Sequence, residues 1–218
     1  LPAVPSIALG TPSISVKEMV AAYAVFANQG ISVKPGYLKM ISDRQGNVLE
    51  VFRKNEKGTR ALSSKTARLM IQMLKGVVDE GTGSSLRTKY GLSNDMAGKT
   101  GTTQSNVDGW FIAITPGIVT GVWVGADDPR MHFTSTALGQ GAATALPIVA
   151  EFFQRANRDP QLRKIMYSRF APLPEDLAKE LDCDPSKSNL NFFEKIFKKK
   201  KKVKVTKFKG RKKKDTPA

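Results

Sequence analysis

The stretch from Met96 to Gly125 limits the fold more than any other part of the chain. It contains three runs with strand texture, Met96 to Thr103, Gly109 to Thr115 and Ile118 to Gly125, and only the turn at Thr115-Pro116-Gly117 separates the last two. Strands joined that closely pair antiparallel. In the middle run Trp110, Ile112 and Ile114 alternate with Phe111 and Ala113, which suits a sheet occupied on both faces. The economical arrangement is a three-stranded antiparallel meander.

Helical segments on either side supply cover for such a sheet. Ser15-Val16-Lys17-Glu18 has the form of a capping box, and Met19, Val20, Tyr23 and Phe26 follow at helical spacing, predicting a helix from about Val16 to Gln29 that closes at Gly30. Ser63 or Ser64 caps a second helix, in which Ala67, Met70, Ile71, Leu74, Val77 and Val78 form one apolar stripe ending near Gly81. A third runs from about Leu146 to Asn157 and covers the sheet through Ile148, Val149, Phe152 and Phe153. Tyr37 to Ile41 and Val48 to Phe52 flank a turn-rich connection suited to a β-hairpin. The segments from Gly81 to Asp95 and from Leu138 to Gly141 read as loops. The fold class is therefore mixed α/β (α+β), an antiparallel sheet covered by helices.

Charge divides the chain more sharply than hydrophobicity does. The 218 residues carry 35 Lys and Arg against 19 Asp and Glu, a net charge of +16, yet Ser186 to Ala218 holds 14 basic and 2 acidic residues. The body is only mildly basic. Three regions follow: a folded portion over 1–158, a linker over 159–188 broken by Pro160, Pro172, Pro174 and Pro185, and a lysine-rich tail over 189–218. Charge of this kind bears on what the tail touches and says little about the chemistry of the body. Leu190, Phe193 and Phe197 sit at helical spacing beside Ile196, just before Lys198 to Lys202, so a short basic amphipathic helix resting on anionic lipid or envelope polymer stands beside a plain solvated tail. Nothing in the body has the form of a nucleic-acid module, and no specific nucleic-acid partner is expected.

Several chemistries are set aside by residue type. The one cysteine, Cys183, allows neither an internal disulfide nor a cysteine metal cluster, and Asp182 and Asp184 beside it would raise its thiol pKa. Adjacent Asp127 and Asp128 point to opposite sides of a strand, and His132 is the only imidazole available to join them. No metal or other cofactor is expected. The uncharged stretches 109–126 and 131–150 are cut by Pro and Gly or rich in polar residues, so neither makes a good spanning helix. The chain opens on Leu without a signal-peptide pattern, so a processed or truncated piece is expected.

The chemistry concentrates in Met96-Ala97-Gly98-Lys99-Thr100-Gly101-Thr102-Thr103. A Lys-Thr-Gly triplet on a strand brings an ammonium and a hydroxyl to one rim, and the glycine lets a ligand's backbone lie against the strand, a combination suited to an acyl substrate ending in a carboxylate. Around it stand Pro5-Ser6-Ile7-Ala8-Leu9-Gly10, Glu80-Gly81-Thr82-Gly83, Asp108-Gly109-Trp110-Phe111, Gly121-Val122-Trp123-Val124-Gly125 and Ala137-Leu138-Gly139-Gln140-Gly141. In this order, from about Pro2 to Asn157, the sequence resembles the transpeptidase domain of class A, bifunctional penicillin-binding proteins.

The resemblance implies a penicillin-binding/β-lactamase-like transpeptidase fold and a serine acyl-transfer enzyme that cross-links peptidoglycan stem peptides ending in D-Ala-D-Ala and is acylated by β-lactams. It places the protein in the bacterial envelope, outside the cytoplasmic membrane. It assigns Lys99 to positive potential and proton movement, Thr100 and Thr102 to the substrate carboxylate, with Gly101 at the rim and Thr103 assisting, and the Thr102 N–H to the oxyanion hole. The family's Ser-x-x-Lys and Ser-x-Asn motifs occur nowhere in the 218 residues. The chain is thus expected to be the C-terminal part of the domain, incomplete at its N-terminus and inactive alone, because a nucleophile with its base is missing. Asp108 and Trp110 are expected to be structural, and His132 not catalytic. Two alternatives remain open: a D-Ala-D-Ala carboxypeptidase or β-lactamase-like hydrolase sharing the same strand, and a non-catalytic polyanion-binding protein acting through the tail.

Overall fold

The structure is a computed structural model and describes residues 5, 7, 10, 12–52 and 58–181. Cys183 and the lysine-rich tail lie outside the described residues, as do Ser6, Ala8 and Leu9.

The capping box at Ser15 opens the first helix, α1 (Val16–Ala27). The Ser15 hydroxyl accepts from the Glu18 N–H at 3.3 Å, and the Glu18 carboxylate accepts from the Ser15 N–H at 2.9 Å. The helix closes where Gln29 and Gly30 adopt φ of 52° and 86°, and the Gly30 N–H donates to the Val25 carbonyl. Next comes a two-residue strand, β1 (Ile31–Ser32), then the expected hairpin of β2 (Met40–Ser42) and β3 (Val48–Val51) with a register shift at Ile41/Ser42. β4 (Thr59–Arg60) returns to pair antiparallel with β1. That pairing was not legible, since two residues carry no periodicity.

Ser63 caps α2 (Ser64–Asp79) through its hydroxyl, which accepts from the Thr66 N–H at 3.0 Å. A single turn, α3 (Ser85–Thr88), interrupts the loop that follows. The predicted meander is present as β5 (Ala97–Thr102), β6 (Asp108–Ile114) and β7 (Val119–Gly125), antiparallel in that order, with a 3-10 turn at Gln104–Asn106. At the β6–β7 turn the Thr115 hydroxyl donates to the Ile118 carbonyl and accepts from its N–H. The glycine-rich loop contains one helical turn, α4 (Thr136–Gly139), and leads into α5 (Ala145–Arg158).

The alternation along β6 resolves into two cores. Phe111 and Ala113 meet Leu146, Val149 and Phe153 of α5, together with Val78, Leu86 and Met96. Ile112 and Ile114 meet Ile71 and Leu74 of α2, with Met19, Val20 and Tyr23 of α1 packed against them. Both faces of β6 are therefore packed against helices.

The linker read over 159–188 begins as part of this body. The first compact unit extends to Pro174. After α5 a turn leads to α6 (Arg163–Met166), whose Met166 is fully buried in the first core. The Phe170 N–H donates to the Asp95 carboxylate at 2.9 Å. Prolines in this segment end helices without preventing the residues between them from packing. In the second unit, which begins at Glu175, the described element is α7 (Glu175–Glu180).

Candidate active site

β5 is an edge strand: it pairs with β6 on one side, and no strand pairs with its other side among the described residues. The phase of its backbone follows from one bond beyond its end, where the Thr103 N–H donates to the Asp108 carbonyl at 3.2 Å. Residues alternate along an antiparallel ladder between bonding inward and facing away. With Gly101 opposite Trp110 and Lys99 opposite Ile112, the N–H groups of Lys99 and Gly101 turn toward β6. Those of Thr100 and Thr102 then point to the unpaired edge.

The side chains arrange themselves around that edge. Lys99 is exposed, and its Nζ donates to the Thr100 carbonyl at 2.7 Å, so the ammonium folds back along the outer rim. Thr100 Oγ1 lies 2.8 Å from Thr82 Oγ1. The Thr102 hydroxyl accepts from the Gly141 N–H at 3.2 Å. An accepting hydroxyl keeps its own proton to donate. Residues 100 and 102 share a face of the strand, so two hydroxyls and two outward N–H groups stand within one short segment.

Glycine is required where the loop after α4 meets this strand. A Cβ on Gly141 would lie 2.1 Å from the Trp110 carbonyl oxygen and 2.6 Å from that of Gly101. The backbone of 141 is in this way seated on the ends of β5 and β6, which is what brings its N–H to Thr102.

Thr103 stands apart from the group. Its hydroxyl donates to Asp108 Oδ2 at 2.9 Å and accepts from the Asp108 N–H, while Asp108 Oδ1 accepts from Trp123 Nε1 at 2.7 Å. Asp108 thus ties the β5–β6 turn to β7, and the Thr103 proton is committed to that tie. Trp110 packs against the second core. The exposed His132 ring has Nδ1 3.1 Å from the Phe133 carbonyl, and the Asp128 carboxylate is held by Arg130 at 2.6 Å, which lowers its pKa.

The sequence reading placed Thr82 in a loop, although Glu80-Gly81-Thr82-Gly83 was conspicuous, and it gave Gly141 no task. In both cases the partner is distant in the chain. As a chemical arrangement, the edge can hydrogen-bond an extended acyl group through its N–H groups while hydroxyls and an ammonium receive a terminal carboxylate.

Known proteins match both this sequence and this fold. The family model of the penicillin binding protein transpeptidase domain matches residues 3–155. Penicillin-binding protein 1A of Aquifex aeolicus is 39% identical over 156 residues, covering 70% of this chain and 20% of that protein. Penicillin-binding protein 1A of Neisseria meningitidis is 33% identical over 165 residues, covering 74% and 20%. This chain thus spans about a fifth of the length of these relatives. Among solved structures, penicillin-binding protein 1A of Haemophilus influenzae superposes with a TM-score of 0.64 at 23% identity, covering 79% of this chain and 30% of the other. PonA1 of Mycobacterium tuberculosis gives 0.60 at 25%, covering 79% and 44%. By this match over most of its folded body, the chain belongs to the family of penicillin binding protein transpeptidase domains.

Proposed function

We propose that β5 and the loops beside it form the carboxylate-holding wall of a D,D-transpeptidase site that cross-links peptidoglycan stem peptides ending in D-Ala-D-Ala. The observation that carries this reading is the phase of the edge strand, which turns the Thr100 and Thr102 N–H groups outward on the same short segment as their hydroxyls. Thr100 and Thr102 receive the terminal carboxylate, and Lys99 supplies positive potential at the rim. The Thr102 N–H donates to the oxyanion as the scissile carbonyl becomes tetrahedral, an interaction whose loss costs about 3 kcal/mol of barrier. Gly101 lets the substrate backbone lie close.

Because neither Ser-x-x-Lys nor Ser-x-Asn occurs in the 218 residues, acylation requires a serine and base from outside them. Such a substrate places the site outside the cytoplasmic membrane of a bacterium. No helix among the described residues is long and apolar enough to cross a membrane. The basic tail is assigned to anionic lipid or envelope polymer, and equal sedimentation with anionic and neutral vesicles would remove that assignment.

Fluorescent penicillin tests the central reading. The chain alone takes up no covalent label. Completed in frame with the Ser-x-x-Lys and Ser-x-Asn segments that the family resemblance implies, it becomes labelled, and Lys99→Ala or Thr102→Val weakens the labelling. Undiminished labelling in both variants of that completed domain would overturn the role given to this strand.

A further inference from the structure

The contact between Thr82 and Thr100 joins two residues 18 positions apart, and the transpeptidase reading has given Thr82 no task. Either hydroxyl can donate across the 2.8 Å between their oxygens, but only one proton can lie there. A carboxylate accepts and never donates. Once a carboxylate binds at Thr100, the Thr100 proton must therefore turn to it, and the bond between the threonines must run from Thr82 to Thr100. We infer that Thr82 is a positioning residue that donates to Thr100 Oγ1 and so directs the Thr100 proton onto the carboxylate of the ligand. Chained hydroxyls polarise one another, so the outer donor is strengthened as well as aimed.

The placement of Thr82 is built by its neighbours. The Gly81 N–H donates to the Gly76 carbonyl, the Gly83 N–H to that of Val77 at 2.8 Å, and the Ser84 N–H to that of Gly81. A Cβ on Gly81 would lie 2.8 Å from the Val77 Cα, and one on Gly83 would lie 3.1 Å from the Val77 carbonyl oxygen. The two glycines let the loop lie directly on the last turn of α2. That helix in turn meets β5 where Val78 packs over Gly98, 3.1 Å from the position a Cβ would take. Thr82 itself is exposed, so its hydroxyl contributes to the site without filling the core.

This inference rests on the transpeptidase reading, and the experiment separates the two. In the completed, penicillin-reactive domain, acylation by benzylpenicillin and by its methyl ester is followed for Thr82→Val, Thr82→Ser and Thr100→Val. Thr82→Val is expected to weaken the binding step for the free acid about five- to tenfold, leaving the later acylation rate constant and the melting temperature unchanged. Thr82→Ser restores it, and the ester, which offers no carboxylate, is indifferent to the change. Equal losses for acid and ester in Thr82→Val would reduce Thr82 to a structural part and overturn the inference. So would wild-type behaviour of Thr82→Val while Thr100→Val is impaired, and the carboxylate wall would stand. An unimpaired Thr100→Val sinks the carboxylate reading itself.

Discussion

The β2–β3 hairpin and the β5–β6–β7 meander are made by the same local means and end in different states. Both are antiparallel, and both have a turn held by a side chain. In the hairpin the Asp43 carboxylate accepts from Asn47 Nδ2 and from the N–H groups of Gln45 and Asn47, which lowers its pKa. In the meander the Thr115 hydroxyl does the equivalent work. Yet every residue of β2 and β3 is exposed, with Leu49 at 67%, whereas Phe111, Ala113 and Ile114 are at 0%. Turn chemistry is enough to pair two strands. A dry core additionally needs helices on each face, which only the meander has.

Substitutions can break or sharpen that contrast. The largest effect is expected from Phe111→Ala, which empties the centre of the first core and should cost about 3–5 kcal/mol in calorimetric unfolding, while Leu49→Ala on the hairpin stays within about 0.5 kcal/mol. If both variants melt together, the two regions do not differ as described. Asn94→Ala comes next. Asn94 is buried, exchanges amide hydrogen bonds of 2.9 Å with Asn157 and donates to the Met166 carbonyl at 2.7 Å. Removing it strands those partners at roughly 2 kcal/mol, read from the denaturant midpoint. Ser63→Ala, which removes the N-terminal cap of α2, should cost about 1 kcal/mol in the same measurement, with Ser63→Asp close to wild type.

The smallest effect concerns pH. The Ser15 hydroxyl, followed by the Ser15 N–H, holds Glu18 below the usual glutamate range. A group whose folded pKa is depressed contributes stability above its unfolded value, and that contribution is lost as the pH falls through the lowered value. Acid titration of the melting temperature should show this small loss in the native chain, and Glu18→Gln should lack it. Because Glu18 is fully solvated, a large difference between the two would point to a tertiary partner for the carboxylate.

The legibility of the molecule follows the range of its interactions. The capping box at Ser15, the apolar stripe of α2 and the alternation in β6 are each contained within a few residues, and each appears in the structure close to its expected bounds. The β1–β4 pair and α4 are too short to carry a periodicity, and the packing of 159–174 depends on a core surface that exists only after the sheet is covered. In the site the strand and its residue types were plain. Two neighbours of those residues were not: Thr82, which reaches Thr100, and Gly141, which reaches Thr102 from 39 residues away.

The sequence by itself determined the three long helices, the hairpin and the meander, where the first two helices are capped and which strand carries the ammonium and hydroxyls, because periodicity and capping act over one or two turns of chain. Tertiary structure decided which hydroxyl touches Thr100 and which glycine backbone closes on Thr102. Those outcomes depend on how closely α2 and the loop after α4 can approach the sheet, and that distance is set by packing between residues far apart in the chain.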